Sequence, residues 1–225
     1  METARRQIGR TCRLSIWMRG IIMLVTQISE VTKSRSRVYL DDQFAFVLYK
    51  GELRQLHITE GQELSEEIYR HIMTQILPKR AKLRIMNLLQ SKDYTRRQLE
   101  DKLKQGDYPQ ECIDEALAYA ESYGYIDDKR YAKDFIEYHL QTRSRMRIET
   151  DLMKKGIAKD TIREIFDELN DMGVGQDEAA MIRDLLIKRK YCTDTATSQE
   201  QQKMYGYLYR KGFSQDAIMR ALSIC

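Results

Sequence analysis

Several groups of side chains in this sequence have the residue types that could do chemistry, and their spacing argues against it. Cys12, Cys112, Cys192 and Cys225 stand 100, 80 and 33 residues apart, so no two have the short spacing of a zinc knuckle or a redox pair. They read as free thiols in a reducing cytosol, which places the chain in the cytoplasm. His57, His71 and His139 are equally scattered and lack the His-Glu-x-x-His spacing that gathers metal ligands. Asp127 and Asp128 form a carboxylate pair on paper. Adjacent residues at a helix start point in different directions, however, and a helix start needs this residue type for capping. Gly173-Val174-Gly175 lacks the third glycine and the preceding strand of a dinucleotide site, and there is no Gly-Lys-Ser/Thr phosphate loop or Gly-x-Ser-x-Gly elbow. The expectation is a protein that is not an enzyme, with no catalytic residue, cofactor, metal or small-molecule substrate.

Charge is the more informative chemistry. The 225 residues carry 38 Lys+Arg and 34 Asp+Glu, a net charge of +4. Arg5, Arg6, Arg10, Arg13 and Arg19 precede Met23 with only Glu2. From Met23 onward, 33 bases balance 33 acids, so the overall balance gives no warrant for nucleic-acid binding and any anion site must be a local patch. Such patches exist. Lys79 to Arg97 holds seven bases and one acid, Glu100 to Asp128 nine acids and two bases, and Arg143 to Arg163 seven bases and three acids. Arg143, Arg145 and Arg147 lie at a helix start, where positive charge opposes the macrodipole, and an anionic partner would explain their presence. Lys129, Arg130 and Lys133, on the polar side of a helix, and Lys154 and Lys155 join the same candidate surface for a protein partner or DNA. The competing reading is solvated helix faces with local pairing, such as Asp151 with Lys155 at i, i+4. Tyr123, Tyr125, Tyr131 and Tyr138 could stack on bases, but their helical and joint positions favour core filling, with Tyr131, Phe135 and Tyr138 facing inward.

The elements that must position these residues follow from periodicity. From Leu24 to Ile58 apolar residues alternate, with Val38 and Leu40 and then Phe44, Phe46 and Leu48 on one face. Turns are expected at Lys33 to Ser36, at Asp41 to Gln43 and at Lys50-Gly51, giving an antiparallel sheet of three or four strands. Ser65 can cap a helix whose Ile68, Ile72, Met73, Ile76 and Leu77 form one stripe. After Pro78 the signals are helical. The first helix carries Leu83, Met86, Leu88 and Leu89; Thr95-Arg96-Arg97-Gln98 makes a capping box for the second, which Gly106 ends; Pro109 opens the third, with Ile113, Ala116, Leu117 and Ala120 inward.

That three-helix unit recurs. Lys-Leu-Lys-Gln-Gly106, Leu152-Met-Lys-Lys-Gly156 and Leu208-Tyr-Arg-Lys-Gly212 are each followed by an apolar pair: Ile113 and Leu117, Ile162 and Phe166, Ile218 and Leu222. The isoleucines are 49 and 56 residues apart, too long and uneven for tetratricopeptide or ankyrin repeats. A helix end commonly places its C′ residue at positive φ, which explains the glycines. The stretch Ile16 to Val25 is interrupted by Arg19 and Gly20 and falls short of a membrane span, so no membrane association is expected. Residues 1–23 are expected to form a disordered extension.

The order of signals, a small β region followed by three tandem three-helix modules with Gly124-Tyr125-Ile126-Asp127-Asp128-Lys129-Arg130-Tyr131-Ala132 at the first joint, resembles the bacterial RecX family. Further echoes are Tyr39-Leu-Asp-Asp-Gln-Phe-Ala-Phe46, Tyr94-Thr-Arg-Arg-Gln-Leu99 and Arg147-Ile-Glu-Thr-Asp-Leu152. Three departures stand out: Ser144 or Arg145 in place of a glycine, an extra residue in Gln105-Gly106-Asp107-Tyr108, and divergence from Tyr191 to Ser198. The resemblance implies a mostly α protein, an elongated, curved array of helix-turn-helix-like modules behind a small antiparallel β region. Its expected segments are 24–77 for the sheet and its helix, then 78–126, 127–172 and 173–225 for the modules. It implies a cytosolic regulator that binds the RecA filament on single-stranded DNA and limits its recombinase, ATPase and coprotease activities. The alternative is a DNA-binding protein using one module as a helix-turn-helix, and weak direct DNA contact is compatible with both.

Overall fold

The computed structural model describes residues 23–193 and 195–222. The expected extension before Met23 lies outside the described residues. Two compact units result, one running to Leu88 and including Glu100–Ser122, the other comprising Leu89–Leu99 and the chain from Tyr123 onward.

In the first unit, β1 (Met23–Thr32), β2 (Arg35–Leu40), β3 (Gln43–Tyr49) and β4 (Glu63–Leu64) form an antiparallel sheet in the order β3-β2-β1-β4. The β2–β3 turn is the two-residue loop Asp41-Asp42, both at positive φ (48° and 64°), the mirror-image turn that matches strand twist. Val38, Leu40, Phe46 and Leu48 face the core as expected, but Phe44, expected on the same face, is exposed, and Val47 on the opposite face is buried. Lys50-Gly51 is not the expected turn: it opens helix α1 (Lys50–Gln55), whose Glu52 carboxylate accepts the Tyr49 N–H at 2.7 Å. Arg80 ties this corner together. Its guanidinium lies 4.6 Å from the Tyr49 ring centre, donates to the Val47 carbonyl at 3.0 Å and pairs with Glu52.

Ser65 caps α2 (Glu66–His71) by accepting from Ile68 N at 3.3 Å. The helix then continues past Pro78, through a π turn at Ile72–Ile76 into α3 (Leu77–Leu89). The wider turn absorbs the proline, which has no N–H to give and whose ring would clash with the preceding α-helical turn. It also resets the buried face: Ile72, Leu77, Ala81 and Ile85 are buried at spacings of five, four and four, and Leu83 therefore points outward, 56% exposed.

Helices α4 (Arg96–Lys104) and α5 (Gln110–Ser122) complete the first repeat. The second consists of α6 (Asp128–His139), α7 (Arg145–Lys154) and α8 (Lys159–Asp171). The third consists of α9 (Glu178–Lys188), α10 (Ser198–Arg210) and α11 (Gln215–Ala221). Each of the last two encloses its own core, Ala132, Ile136, Ile148, Leu152, Ile162 and Phe166 in one and Ile182, Leu208, Phe213, Ile218 and Leu222 in the other. Leu103, Leu152 and Leu208 are fully buried, as are Ile113, Ile162 and Ile218, and both sets are separated by 49 and 56 residues.

This alignment corrects one reading of the repeat. The left-handed residue after the middle helix is Gly156 (φ 94°) and Gly212 (φ 87°), but in the first repeat it is Asp107 (φ 58°), not Gly106. In all three, the next N–H returns to the buried leucine: Tyr108 to Leu103, Ile157 to Leu152 and Phe213 to Leu208, at 3.2–3.3 Å. A short polar side chain tolerates this conformation, and the Asp107 carboxylate is held by Arg37 of β2 at 2.8 and 3.2 Å. The longer third repeat combines a longer α10, 13 residues against 10 for α7, with a longer connection before it, residues 189–197 against 140–144.

Candidate interaction surface

The middle helices begin at capping residues that do more than cap. Thr95 accepts from Gln98 N at 3.3 Å, and Gln98 returns the bond to Thr95 N, forming the expected box. The buried Thr95 hydroxyl also donates to the Lys155 carbonyl of the second repeat at 2.6 Å. Ser144 does the same one repeat later, accepting from Arg147 N at 3.4 Å and donating to the Lys211 carbonyl at 2.7 Å. The glycine after each carbonyl is where the backbones touch. A Cβ on Gly156 would stand 2.4 Å from Arg97 Cβ, and one on Gly212 2.7 Å from Ser144 Oγ. The two joints are therefore built alike, and bases flank each in sequence: Arg96, Arg97, Lys154 and Lys155 at one, Arg145, Arg147, Arg210 and Lys211 at the other. Sequence spacing revealed the glycines but not their second role, since the threonine and serine partners lie 60 and 67 residues away.

The adjacent aspartates divide between two helices. Asp127 caps α6 by accepting from Arg130 N at 2.9 Å, while Asp128 Oδ1 accepts from Arg96 N at 2.8 Å at the start of α4. Around them, Gly124 takes a positive φ of 68°, and Ile126 and Ala132 are buried. Tyr123 and Tyr125 are not core residues: they stack on each other with centroids 6.0 Å apart and are 63% and 43% exposed. Tyr138, 81% exposed, is likewise outside the core. The buried face of α6 is carried by Ala132, Ile136 and Leu140, with Tyr131 and Phe135 packed half-buried at its margin, so position 138 falls on the open side.

The expected basic residues prove to be well supplied with partners. Arg143 and Arg147 share Asp151 at 2.8 and 3.2 Å, and Arg145 bonds Glu149 at 2.9 Å while lying 4.5 Å from the Phe166 ring centre. Asp151 is thus taken by arginines rather than by Lys155, which instead sits 5.4 Å from the centre of Phe135, the ring that Arg143 also approaches at 5.8 Å. Lys155 lies 5.5 Å from Tyr131 as well. His139 packs edge-on against Phe135 at 4.4 Å, and burial, then the nearby Arg143, push its pKa down. Lys129 is bound at 2.8 Å to Glu168 of α8; the bond raises the lysine and lowers the glutamate. Arg130, Lys133 and Lys154 make no ion pair among the described residues. The structure brings Arg143, Lys155, Tyr131 and Phe135 into one cluster, and ties Lys129 to Glu168. No group of three or more metal-ligating side chains occurs among the described residues, and no helix there is long and apolar enough to cross a membrane.

Comparison with known proteins bears on what this array is. Residues 81–119, 127–165 and 176–222 match the first, second and third three-helix domains of RecX. Regulatory protein RecX of Caldanaerobacter subterraneus is 34% identical over 204 residues, covering 90% of this chain and 100% of the relative. Regulatory protein RecX of Clostridium beijerinckii is 27% identical, covering 89% and 93%. A crystal structure of regulatory protein RecX superposes with a TM-score of 0.57 at 25% identity, covering 89% of this chain and 98% of that one. The three consecutive domain matches and the full-length relative, taken with the repeated joint, show that this chain belongs to the RecX family of regulatory proteins.

Proposed function

We propose that this protein acts without catalysis as a cytosolic modulator of RecA, binding the recombinase filament on single-stranded DNA and limiting its growth, strand exchange and coprotease response. The observation that carries the reading is the pair of like joints. A surface that repeats a hydroxyl-to-carbonyl bond, a close glycine and two pairs of bases suits a partner that is itself periodic, as a filament is. Family membership supports the same reading. The candidate contacts are the exposed or half-buried bases of the second repeat, Lys129, Arg130, Lys133, Arg143, Arg145, Arg147, Lys154 and Lys155.

The test is RecA's DNA-dependent ATP hydrolysis on single-stranded DNA, titrated with substoichiometric protein, beside binding to the DNA alone. Loss of hydrolysis at amounts too small to coat the DNA is expected. Unchanged hydrolysis would overturn the reading, and tight binding to naked DNA in the same experiment would put a DNA-binding protein in its place.

A further inference from the structure

A cavity of about 460 Å³ opens between the second and third repeats. Its apolar lining comes from Leu140, Met146 and Phe166, and its charged groups are Arg145, Glu149 and Glu178. Arg145 is already engaged: its Nε donates to Glu149 at 2.9 Å, and its guanidinium carbon lies 4.5 Å from the centre of the Phe166 ring. Glu178, half-buried in the first turn of α9, makes no ion pair among the described residues. Gln176, also in the lining, donates from Nε2 to the Leu140 and Arg143 carbonyls, and its Oε1 is buried without a partner. An unpaired carboxylate and the negative end of an unpartnered amide leave this wall electronegative, which favours a cation.

The first joint narrows the cation. Counted from the caps Thr95 and Ser144, Glu100 and Glu149 hold the same place, and so do Arg97 and Met146. Counted from Asp127 and Asp177, so do Asp128 and Glu178. Gly156 and Gly212 correspond as the left-handed residues of their turns. In the first joint Arg97 lies across Gly156, its Cβ, Cγ and Cδ 2.4–3.0 Å from where a Cβ there would stand. In the second, Met146 is 56% exposed, and it and Gly212 both line the open cavity. The second joint thus has the acids of the first without its alkylguanidinium. We propose that this cavity binds an alkylguanidinium group, its planar cation against Glu178 and its carbon chain along Leu140 and Met146. Five N–H donors in a flat fork suit a carboxylate bidentately, which a compact ammonium does not. Such a ligand touches α7 and the start of α9 at once, so it holds the second repeat to the third. The inference rests on the cavity and the repeat alignment and not on the RecA reading, and its test contains no RecA.

The experiment is isothermal titration calorimetry of the full chain with butylguanidine, and with butylurea as its neutral isostere. Saturable binding of butylguanidine and none of butylurea is expected. Glu178→Gln should weaken binding about tenfold, the effect of one charge-assisted hydrogen bond. Glu164→Gln, which removes an exposed acid of α8 outside the lining, should leave it unchanged. Met146→Arg places in the second joint the side chain that the first already has, and should abolish binding while raising the urea midpoint. Met146→Leu should bind as the parent does. If Met146→Arg loses helix content by circular dichroism, Met146→Trp fills the cavity by volume alone and should also abolish binding. Acetyl-Gly-Arg-Gly-amide separates the sources of the group: binding as tight as that of butylguanidine assigns the cavity to an arginine side chain of a protein, and weaker binding to a free small molecule. Equal binding of butylurea, no saturable heat at millimolar butylguanidine, or unchanged affinity in folded Glu178→Gln and Met146→Arg would overturn the proposal.

Discussion

Gly156 and Gly173 share a left-handed backbone but not a neighbourhood, and the difference is measurable. A Cβ at Gly173 meets nothing within 4 Å, whereas one at Gly156 runs into Arg97. Gly173→Ala should therefore cost only the left-handed strain, about 1–2 kcal/mol, while Gly156→Ala should cost about 3 kcal/mol by adding overpacking; urea unfolding checks the order. Cys112 offers a second test. It is buried, donates to the Met73 carbonyl at 3.6 Å and has its thiol pushed up to about 11 by burial. In the native protein at pH 8 a maleimide should modify exposed Cys192 and leave Cys112 untouched until denaturant is added, as peptide mapping would show. For His139, the folded pKa lies below the ordinary value, so below about pH 6.5 the unfolded chain takes up more protons and stability falls as pH falls. The drop in urea midpoint on acidification should shrink in His139→Phe.

Among elements, the three middle-helix caps form an internal experiment. Thr197 caps α10 with Glu200 in a capping box exposed to solvent, so Thr197→Ala should cost about 1 kcal/mol. Thr95→Val and Ser144→Ala each remove a cap and also strand the carbonyl of the next repeat, and should cost about 2–3 kcal/mol. Equal costs for all three would mean that the inter-repeat bond contributes nothing. Much of this framework was legible in the sequence, because caps, buried leucines and isoleucines follow local rules of period and hydrogen bonding. What was not legible came from contacts distant along the chain. Gly106 and Asp107 cannot be told apart as the left-handed residue without Arg37, 70 residues away. Tyr138 points outward although it occupies a position an apolar stripe could use, while Tyr131 packs at the margin of the core, and only the packing of Ala132 and Ile136 decides which side is closed. The basic surface suffered most. Sequence showed where the arginines fall, but not that Asp151 and Glu149 pair with those at the start of α7 while Arg189 packs on the Tyr207 ring.

At the scale of the molecule, repeats that touch through small joints should share stability with neighbours rather than with the whole chain. The bond from Ser144 to Lys211 joins the start of α7 to the turn between α10 and α11, and the β-sheet takes no part in it. Hydrogen exchange followed by mass spectrometry should therefore show Ser144→Ala raising exchange in α7 and α11 together, with β1, β2 and β3 unchanged. Thr95→Val should instead raise exchange at the start of α4 and the end of α7, leaving α11 as in the parent protein. Uniform acceleration across every element in both variants would mean one cooperative unit and would remove the joints as separate mechanical elements. The pattern expected, loosening confined to the two repeats that meet, is the property a regulator would need if each repeat is to settle on its own part of an extended partner.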